Sequence, residues 1–277
     1  MKVFISDLHL GDGSRTDDFH HDKQFLKFLN FVEVEAKELI ILGDLFELWQ
    51  ADLDRVLFQH SRVVNKLLSL AGKLKLTYVI GNHDYIPFIK FTPLERNFLT
   101  GFTKAGLGLS LEYSDSRSKI VAEHGYRYDI FNRYDNPLKS LKWPPGKYLA
   151  ATLASLERIV HPDIDQWTRK AIDNVDEFLQ KAVQIVNKIP PSTEEYLQRG
   201  GHFGEFEEAV KKQITKGAKI VIFGHTHKAQ LQVLGKGIYA NCGAWTDGQK
   251  PTYIACFKDK IELREAFRHK IIKQLKH

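Results

Sequence analysis

Few cysteines and the lack of a long apolar run restrict the class of protein that this sequence can encode. Only two cysteines, Cys242 and Cys256, occur among its 277 residues. Two cysteines cannot form a disulfide framework, so we expect buried free thiols and a reducing, cytoplasmic location. No run of about 18 apolar residues is present, so no transmembrane helix is expected. The opening MKVFISDLHL is too polar and too short to predict a secretory signal.

A strong surplus of charge is also missing from most of the chain. Of the net charge of +6, the last twenty residues carry +4. The nearly neutral remainder argues against nucleic acid as a partner, since such binding needs a broad basic surface.

The basic tail needs a separate explanation. Read as a helix, it would place five apolar side chains on one face, namely Leu263, Phe267, Ile271, Ile272 and Leu275. This pattern is typical of a peripheral contact with anionic lipid, which would make the protein membrane-associated. It is equally typical of a helix that packs its apolar face on the body of the protein.

The rest of the pattern favours a globular α/β protein, with 43% hydrophobic and 27% charged residues. Short β-branched runs alternate with helical patterns. One predicted helix includes Val56 to Ala71, and another covers Phe25–Glu38. The predicted strands are Lys2–Ser6, Leu39–Leu42, Thr77–Ile80, Lys119–Glu123, Lys219–Phe223, Gly237–Ala240 and Tyr253–Phe257.

The region 126–217 differs in texture from its surroundings. A stretch rich in proline and aromatic residues around Trp143 is followed by long helical patterns, and Pro190–Pro191 ends one of them. We therefore predict a helical insertion, or cap, at 126–217. It would interrupt a core formed by residues 1–125 and 218–277.

Side chains that can bind metal follow one predicted strand after another. Those after the first three strands are Asp7, His9, Asp44, Asn82, His83 and Asp84. Those after the fourth and fifth are His124, His225 and His227. Ligands bind at the carboxyl ends of strands in open α/β sheets, so these groups would converge if their strands shared one sheet.

The spacing of these residues suits metal coordination. Residues i and i+2 of an extended segment point the same way, so Asp7 and His9, or His225 and His227, can face one centre. Carboxylate and imidazole ligands suit Mn, Fe or Zn better than Ca. There are enough ligands for two divalent ions, and manganese is the metal we expect.

The complete series Asp7-X-His9, Gly43-Asp44, Gly81-Asn82-His83-Asp84, His124 and Gly224-His225-X-His227 resembles the calcineurin-like metallophosphoesterases. The resemblance runs from residue 3 to about residue 245, leaving the insertion uncovered. It implies a four-layer α/β sandwich of two mixed β-sheets flanked by helices. It also implies hydrolysis of a phosphodiester, phosphomonoester or pyrophosphate bond through a hydroxide activated by a dinuclear metal centre.

The resemblance assigns a role to each matching residue. One metal would be held by Asp7, His9, Asp44 and His227. The other would be held by Asp44, Asn82, His124 and His225, with Asp44 bridging the two. His83 would stabilise the developing charge or protonate the leaving oxygen, and Asp84 would orient His83.

A narrower resemblance concerns the substrate. The segments SDLHLGDG, GDLFELW and EHGYRYD, with the helical insertion, are similar to the UDP-2,3-diacylglucosamine pyrophosphatase branch. That branch typically has arginine where this chain has His83. A small phosphodiester or nucleotide-linked substrate is therefore our first expectation, and a lipid-linked UDP-sugar is the alternative. A non-enzymatic scaffold with a decayed metal site would have lost ligands, and none is missing here.

Three further residues are candidates for binding substrate. Arg127 and Arg133 follow His124 and could clamp a phosphate, or belong to a solvated ion-pair cluster. Asn241 could contact substrate or simply stabilise a turn. A dense cluster, Asp17, Asp18, His20, His21 and Asp22, is more typical of helix capping than of a metal site.

Overall fold

The computed structural model describes residues 1–15, 17–84, 106–128, 203–246 and 248–277. The helices are α1 (Asp22–Glu35), α2 (Leu53–Gln59), α3 (Ser61–Ala71), a 3-10 turn (Tyr126–Tyr128) and α4 (Phe203–Thr215). The strands of the first half are β1 (Lys2–Ile5), β2 (Glu38–Leu42), β3 (Lys75–Val79), β4 (Leu107–Ser110), β5 (Tyr113–Asp115) and β6 (Ile120–Ala122). The later strands are β7 (Ile220–Phe223), β8 (Gln230–Leu234), β9 (Gly237–Asn241), β10 (Thr252–Cys256), β11 (Lys260–Glu265) and β12 (Ile271–Lys276).

These strands form two mixed sheets, as expected. The seven-stranded sheet has the order β12-β11-β10-β1-β2-β3-β4, in which β1 to β4 are parallel and β10 to β12 are antiparallel. The five-stranded sheet has the order β5-β6-β7-β9-β8, with a parallel centre and antiparallel edges. The inner parallel strands are almost wholly apolar because both of their faces are covered.

Two apolar cores hold the layers together. Val3 and Ile5 of β1 point towards α1 and α3 and join one cluster with Phe25 and Leu67. Phe4, between them in sequence, points the opposite way into a second cluster that contains side chains of both sheets. This alternation follows from the two-residue period of a strand, and it makes β1 the wall between the two cores.

The fourth layer is a helix on the five-stranded sheet. A side chain added at Gly237 of β9 would meet Ile214 of α4 at 2.8 Å, so glycine allows this close approach. The α/β sandwich flanked by helices is confirmed by this arrangement together with the two sheets.

The chain divides into two compact units. The first comprises Met1–Tyr126 and Val210–His277, and it contains both sheets. The second comprises Arg127–Ala209, most of which lies outside the described residues. The helical insertion at 126–217 therefore stays a prediction. In the described part of the chain, no helix has the length and apolar character needed to cross a bilayer.

The helical prediction for the C-terminal tail is wrong. Residues 260–276 form the antiparallel strands β11 and β12, which extend the seven-stranded sheet beyond β10. Leu263 and Leu275 face the core between the sheets, whereas Ile271 and Ile272 are exposed. The open edge of β10 supplies backbone partners that a helix would leave unused, and β-branched residues suit that edge.

A smaller correction concerns the predicted helix around Val56. It is two helices, α2 and α3, separated at His60, whose side chain is buried. The apolar spacing continues across the break, so periodicity alone could not reveal it.

Candidate metal centre

The predicted ligands follow five strand ends, but these belong to two sheets rather than one. Asp7 and His9, Asp44, and Asn82 follow β1, β2 and β3, neighbouring parallel strands of the seven-stranded sheet. His124 follows β6, and the pair His225 and His227 follows β7, in the five-stranded sheet. The site therefore forms where the carboxyl ends of two parallel strand sets meet.

The backbone at this site is strained in a recurrent way. Five predicted ligands have positive φ angles, namely Asp7 (54°), His9 (51°), Asp44 (50°), His225 (66°) and His227 (56°). Side chains other than glycine rarely adopt this region, and such residues cluster at functional sites. Hydrogen bonds between the loops hold them there, because the N–H groups of Leu8 and His9 both donate to the carbonyl of Asp44 at 2.9 Å.

Three groups of donor atoms are close enough to hold a metal ion. Within each group, one ligand atom from every residue lies within 4.8 Å of the others. The groups are Asp7, His9 and His227; His9, Asp44 and His83; and Asp44, His124 and His225. The first and the third each contain three of the four residues predicted for one metal. Asp44 belongs to the second and third groups, and its Oδ2 lies 3.8 Å from Nε2 of His9, a member of the first.

Unsatisfied buried atoms show that this donor set fits divalent ions. Oδ1 of Asp7 and Nε2 of His9 are buried without a hydrogen-bond partner, and they lie 4.0 Å apart. Nε2 of His227 is 3.3 Å from the same Oδ1. Leaving such groups unpaired is costly, and an ion among them would satisfy all three.

In His124 and His9, Nδ1 contacts a protein oxygen, which leaves Nε2 available to bind an ion. Nδ1 of His124 donates to the carbonyl of Leu42 at 2.7 Å, and Nδ1 of His9 lies 2.8 Å from Oε2 of Glu47. Each ring therefore turns Nε2 towards the donor groups, as is usual for metal-binding histidines. Nε2 of His124 lies 2.9 Å from Asp44 and 3.1 Å from Oδ1 of Asn82, which places Asn82 beside the third group.

The carboxylates at the centre are held in their charged form. Burial alone would raise the pKa of Asp44, but the charges of His124 and His83 lower it well below its usual range. Burial lowers the pKa of His9 and of His124, yet contacts with Glu47 and Asp44 raise the first to about 10 and the charge of Asp44 raises the second to about 9. Binding of a metal must displace these protons, so affinity should rise with pH.

Glu47 is a site residue that the sequence analysis missed. Its Oε2 lies 2.8 Å from Nδ1 of His9 and 2.6 Å from Nδ1 of His83. Burial would raise the pKa of Glu47, but the charge of His83 and the contacts with both rings lower it to about 2. The one available signal was its position in the GDLFELW segment, three residues after Asp44.

Trp49 completes the surroundings of His83. The two rings are stacked, with centroids 4.0 Å apart and an angle of 21° between the planes. The N–H of Trp49 donates to Oε1 of Glu47 at 3.1 Å, so backbone and carboxylate fix each other. His83 thus packs its face on Trp49, and its Nδ1 is in charge contact with Glu47 without an aligned hydrogen bond.

The predicted role of Asp84 is corrected by these contacts. Its carboxylate does not orient His83 but accepts backbone N–H groups from Asp44 at 2.8 Å, Gly81 at 2.7 Å and Phe46 at 3.0 Å. Burial and the charge of Asp44 raise its pKa to about 6. Asp84 therefore supports the loops that present Asp44, because its carboxylate oxygens accept three backbone N–H groups from those loops.

The predicted substrate contact of Asn241 is also corrected. Asn241 is fully buried, and its amide donates to the carbonyl of Gly224 at 2.7 Å. Its Oδ1 accepts the N–H of Gly243 at 3.0 Å. The turn interpretation is therefore the correct one, and Asn241 holds the loop that carries His225.

The two arginines predicted to bind phosphate remain predictions. Arg127 is exposed in the 3-10 turn after His124, and Arg133 lies outside the described residues.

Among the members of the acidic and histidine-rich cluster, Asp17 accepts the N–H groups of Gly13 and Phe19 at 2.8 and 2.9 Å. It belongs to none of the candidate metal groups found among the described residues. These partners lie in the loop before α1, and the N-terminus of α1 has no side-chain cap. The predicted helix capping is therefore wrong for Asp17, which stabilises the loop instead.

Two parallel strand sets present buried carboxylates and histidines that can hold divalent metal ions. The model of the calcineurin-like phosphoesterase family matches residues 3–229, and this chain belongs to that family. It is accordingly a hydrolase that acts on phosphoester bonds, and members of the family use a dinuclear metal centre.

Several curated relatives carry the name of one branch of the family. A UDP-2,3-diacylglucosamine hydrolase from Psychromonas ingrahamii is 25% identical over 94% of this chain and 95% of its own length. One from Shewanella halifaxensis is 26% identical, covering 95% and 97%. One from Blochmanniella pennsylvanica is 38% identical, but over 48% of this chain and 52% of its own length.

A solved structure supports the fold alone. A dimetal phosphatase from Danio rerio is similar with a TM-score of 0.50 at 13% identity, covering 99% of this chain and 98% of that one.

Proposed function

We propose that this protein hydrolyses the pyrophosphate bond of a lipid-linked nucleotide sugar of the UDP-2,3-diacylglucosamine type. The observation that carries the proposal is the similarity to hydrolases of that name over 94% and 95% of the chain. Hydrolysis would give UMP and a diacylated sugar 1-phosphate.

The chain's own residues can be given roles in this reaction. The residues that would hold the ions are Asp7, His9, Asp44, Asn82, His124, His225 and His227. Two divalent ions, for which we propose manganese with iron or zinc as alternatives, would supply Lewis-acid charge and an activated water.

His83 would serve the leaving group. Because Nδ1 faces Glu47 at 2.6 Å, Nε2 is the ring atom left to donate a proton or a hydrogen bond to the leaving oxygen. Stacking on Trp49 keeps the ring from turning, so proton transfer would need little reorganisation.

One observation favours a second candidate, a small phosphodiester. His83 stands where the diacylglucosamine branch typically has arginine. A single imidazole held by Glu47 offers one donor, whereas a guanidinium offers a bidentate clamp for a phosphate. A substrate with fewer phosphate oxygens would suit the imidazole.

The experiment compares three substrates with one enzyme preparation. UDP-2,3-diacylglucosamine in detergent micelles, bis-p-nitrophenyl phosphate and p-nitrophenyl phosphate would each be tested with Mn²⁺ and with a chelator. Asp44→Asn is the inactive control, and exposed Asp54→Asn is its matched control. His83→Arg should retain or increase activity on the lipid-linked substrate. Turnover of the diester without turnover of the lipid-linked substrate would replace the first candidate by the second.

The location is part of the same proposal. Cys242 and Cys256 are both free and buried, which supports a reducing, cytoplasmic compartment. Fractionation of the source cells, with detection of the chain by antibody, would test this.

A further inference from the structure

The turn and the edge strand of the β11–β12 hairpin carry only positively charged side chains among their charged residues. Residues 266–277 contain Arg268, Lys270, Lys273 and Lys276 but no acidic residue. All four side chains are exposed. Among the ion pairs of the described residues, none involves any of these four. Their charges are therefore directed at solvent or at something outside the chain.

The neighbouring strand does not neutralise them. Glu262 of β11 is buried and already pairs with Lys260 at 2.8 Å and with Arg264 at 2.5 Å. The last twenty residues as a whole retain a surplus of +4.

The same segment exposes apolar side chains. Phe267, Ile271 and Ile272 have exposed fractions of 39%, 44% and 56%. The remaining strongly exposed large apolar side chains of the described residues are scattered over other elements, for example Phe58 on α2 and Val233 on β8. Only this segment of the described residues combines several of them with unpaired cations.

Protection of the sheet edge explains the exposed lysines but not the exposed isoleucines. Lysines on an edge strand prevent it from pairing with another chain. Ile271 and Ile272 serve no such purpose, because exposed apolar residues on an edge favour pairing. A second copy of this chain is disfavoured as the occupant, since two paired β12 edges would bring Lys273 and Lys276 of one copy against the same cations of the other. Nucleic acid would use the cations but would leave the isoleucines in water.

We propose that this hairpin, residues 260–277, docks on an anionic lipid bilayer. The cations would meet lipid headgroups, and the apolar side chains would enter the boundary between headgroups and acyl chains. The proposal deepens the proposed function and rests on it for the lipid character of the substrate, which would be met at a membrane. The surface is a strand hairpin, so neither a helix nor a spanning segment is involved.

Vesicle co-sedimentation of the full chain tests the proposal. Phosphatidylcholine vesicles would be compared with vesicles containing about 30% phosphatidylglycerol, at about 0.1 M and about 0.5 M salt. We expect binding only to the anionic vesicles and a loss of binding at high salt. Equal binding to both vesicles, or no binding to either, would overturn the proposal.

Two sets of variants separate this surface from net charge. Arg268→Gln, Lys270→Gln, Lys273→Gln and Lys276→Gln together should lower the partition coefficient by at least about 100-fold. The matched control changes four exposed lysines elsewhere, Lys23→Gln, Lys27→Gln, Lys216→Gln and Lys236→Gln. If the control lost binding equally, the hairpin would have no special role.

The apolar contribution is tested by a second pair of changes. Ile271→Ser with Ile272→Ser should lower partitioning by about tenfold, whereas Val34→Ser with Phe58→Ser should leave it unchanged. Stronger binding of the native chain to duplex DNA than to anionic vesicles would overturn the proposal. So would dimerisation in solution that the isoleucine changes abolish.

Activity in micelles distinguishes this proposal from the proposed function. The hairpin variants should hydrolyse bis-p-nitrophenyl phosphate and the micellar UDP-lipid at the native rate. If the chain binds anionic vesicles but does not cleave the UDP-lipid, the proposed docking surface stands and the proposed substrate is rejected.

Discussion

Glu47 shows how one side chain can couple two functions of a site. A single carboxylate oxygen contacts a predicted metal ligand, His9, and the predicted acid, His83, at 2.8 and 2.6 Å. Because both rings present Nδ1 to the same oxygen, the orientation of each depends on that carboxylate. Loss of its charge should therefore affect metal binding and catalysis together.

Replacing Glu47 by glutamine is the direct test at this scale. We expect Glu47→Gln to weaken metal binding by about 10- to 100-fold and also to lower kcat at saturating metal. Metal content by mass spectrometry and kcat with excess Mn²⁺ would be measured, with exposed Glu35→Gln as the control. Unchanged metal content would show that His9 does not need Glu47.

Replacing Asp44 should remove both bound metal and activity, whereas replacing His83 should reduce activity alone. Asp44→Ala should abolish activity and lose one or both metals, because Asp44 belongs to two donor groups. His83→Ala should lower turnover by about 100-fold while the chain keeps its metals. Loss of both metals from His83→Ala would contradict the assigned role and make His83 a ligand.

At the scale of elements, His60 links three parts of the fold. It lies at the break between α2 and α3, with Nδ1 2.9 Å from Asp22 of α1 and Nε2 3.5 Å from Asp17. Burial lowers its pKa, but the contacts with these carboxylates raise it from 6.5 to about 9. The loop after His9 is thereby fastened to the helices.

This buried group predicts how stability depends on pH. Its pKa is raised on folding, so its contribution is complete below pH 6.5 and is lost as the pH rises through about 9. His60→Gln should therefore destabilise the protein by about 2 kcal/mol at pH 6 and by less above pH 9. Denaturant unfolding at both pH values checks this, with exposed His20→Gln as the control. A cost independent of pH would show that the charge of His60 is irrelevant.

Periodicity predicted the buried elements better than the edges. The seven predicted strands correspond to β1, β2, β3, β6, β7, β9 and β10, all within two residues at each end. They were predictable because an inner strand covered on both faces is a short apolar run. The short strands β4 and β5 and the edge strand β8 were missed, since their exposed residues interrupt that pattern.

The helix predicted for the C-terminal tail was wrong for a different reason. Leu263, Phe267 and Ile271 are spaced by four residues, which a helix would align. The turn at His269, with φ of 55°, and the pairing of β11 with β10 instead make a hairpin. The partner strand is not visible from local spacing, so the pattern favoured the wrong element.

At the scale of the whole molecule, the metal centre should hold the two sheets together. Its donors come from both, and five of them have positive φ angles that cost free energy unless other contacts compensate. Ions bound between the sheets would stabilise the folded state by a free energy that rises with the logarithm of their affinity.

Metal removal should therefore be visible as a loss of stability. A chelator should lower the Tm by several degrees, and Mn²⁺ should restore it, because about 2.7 kcal/mol is expected at 100-fold excess over Kd. Scanning calorimetry would measure this, and Asp44→Asn should show little response. The increase with Mn²⁺ should be larger at pH 8 than at pH 6, since His9 and His124 must lose protons to bind. An equal increase in Asp44→Asn would place the ions elsewhere.

The sequence by itself determined the chemistry of the site, because ligand types and their positions after strands are local properties. The local pattern alone identifies nine candidate side chains after strands, namely Asp7, His9, Asp44, Asn82, His83, Asp84, His124, His225 and His227. The tertiary structure decided what joins them. Glu47 meets His9 across 38 residues, and Asp7 accepts the N–H of His225 across 218. Such contacts arise from the packing of two sheets, which no local pattern encodes.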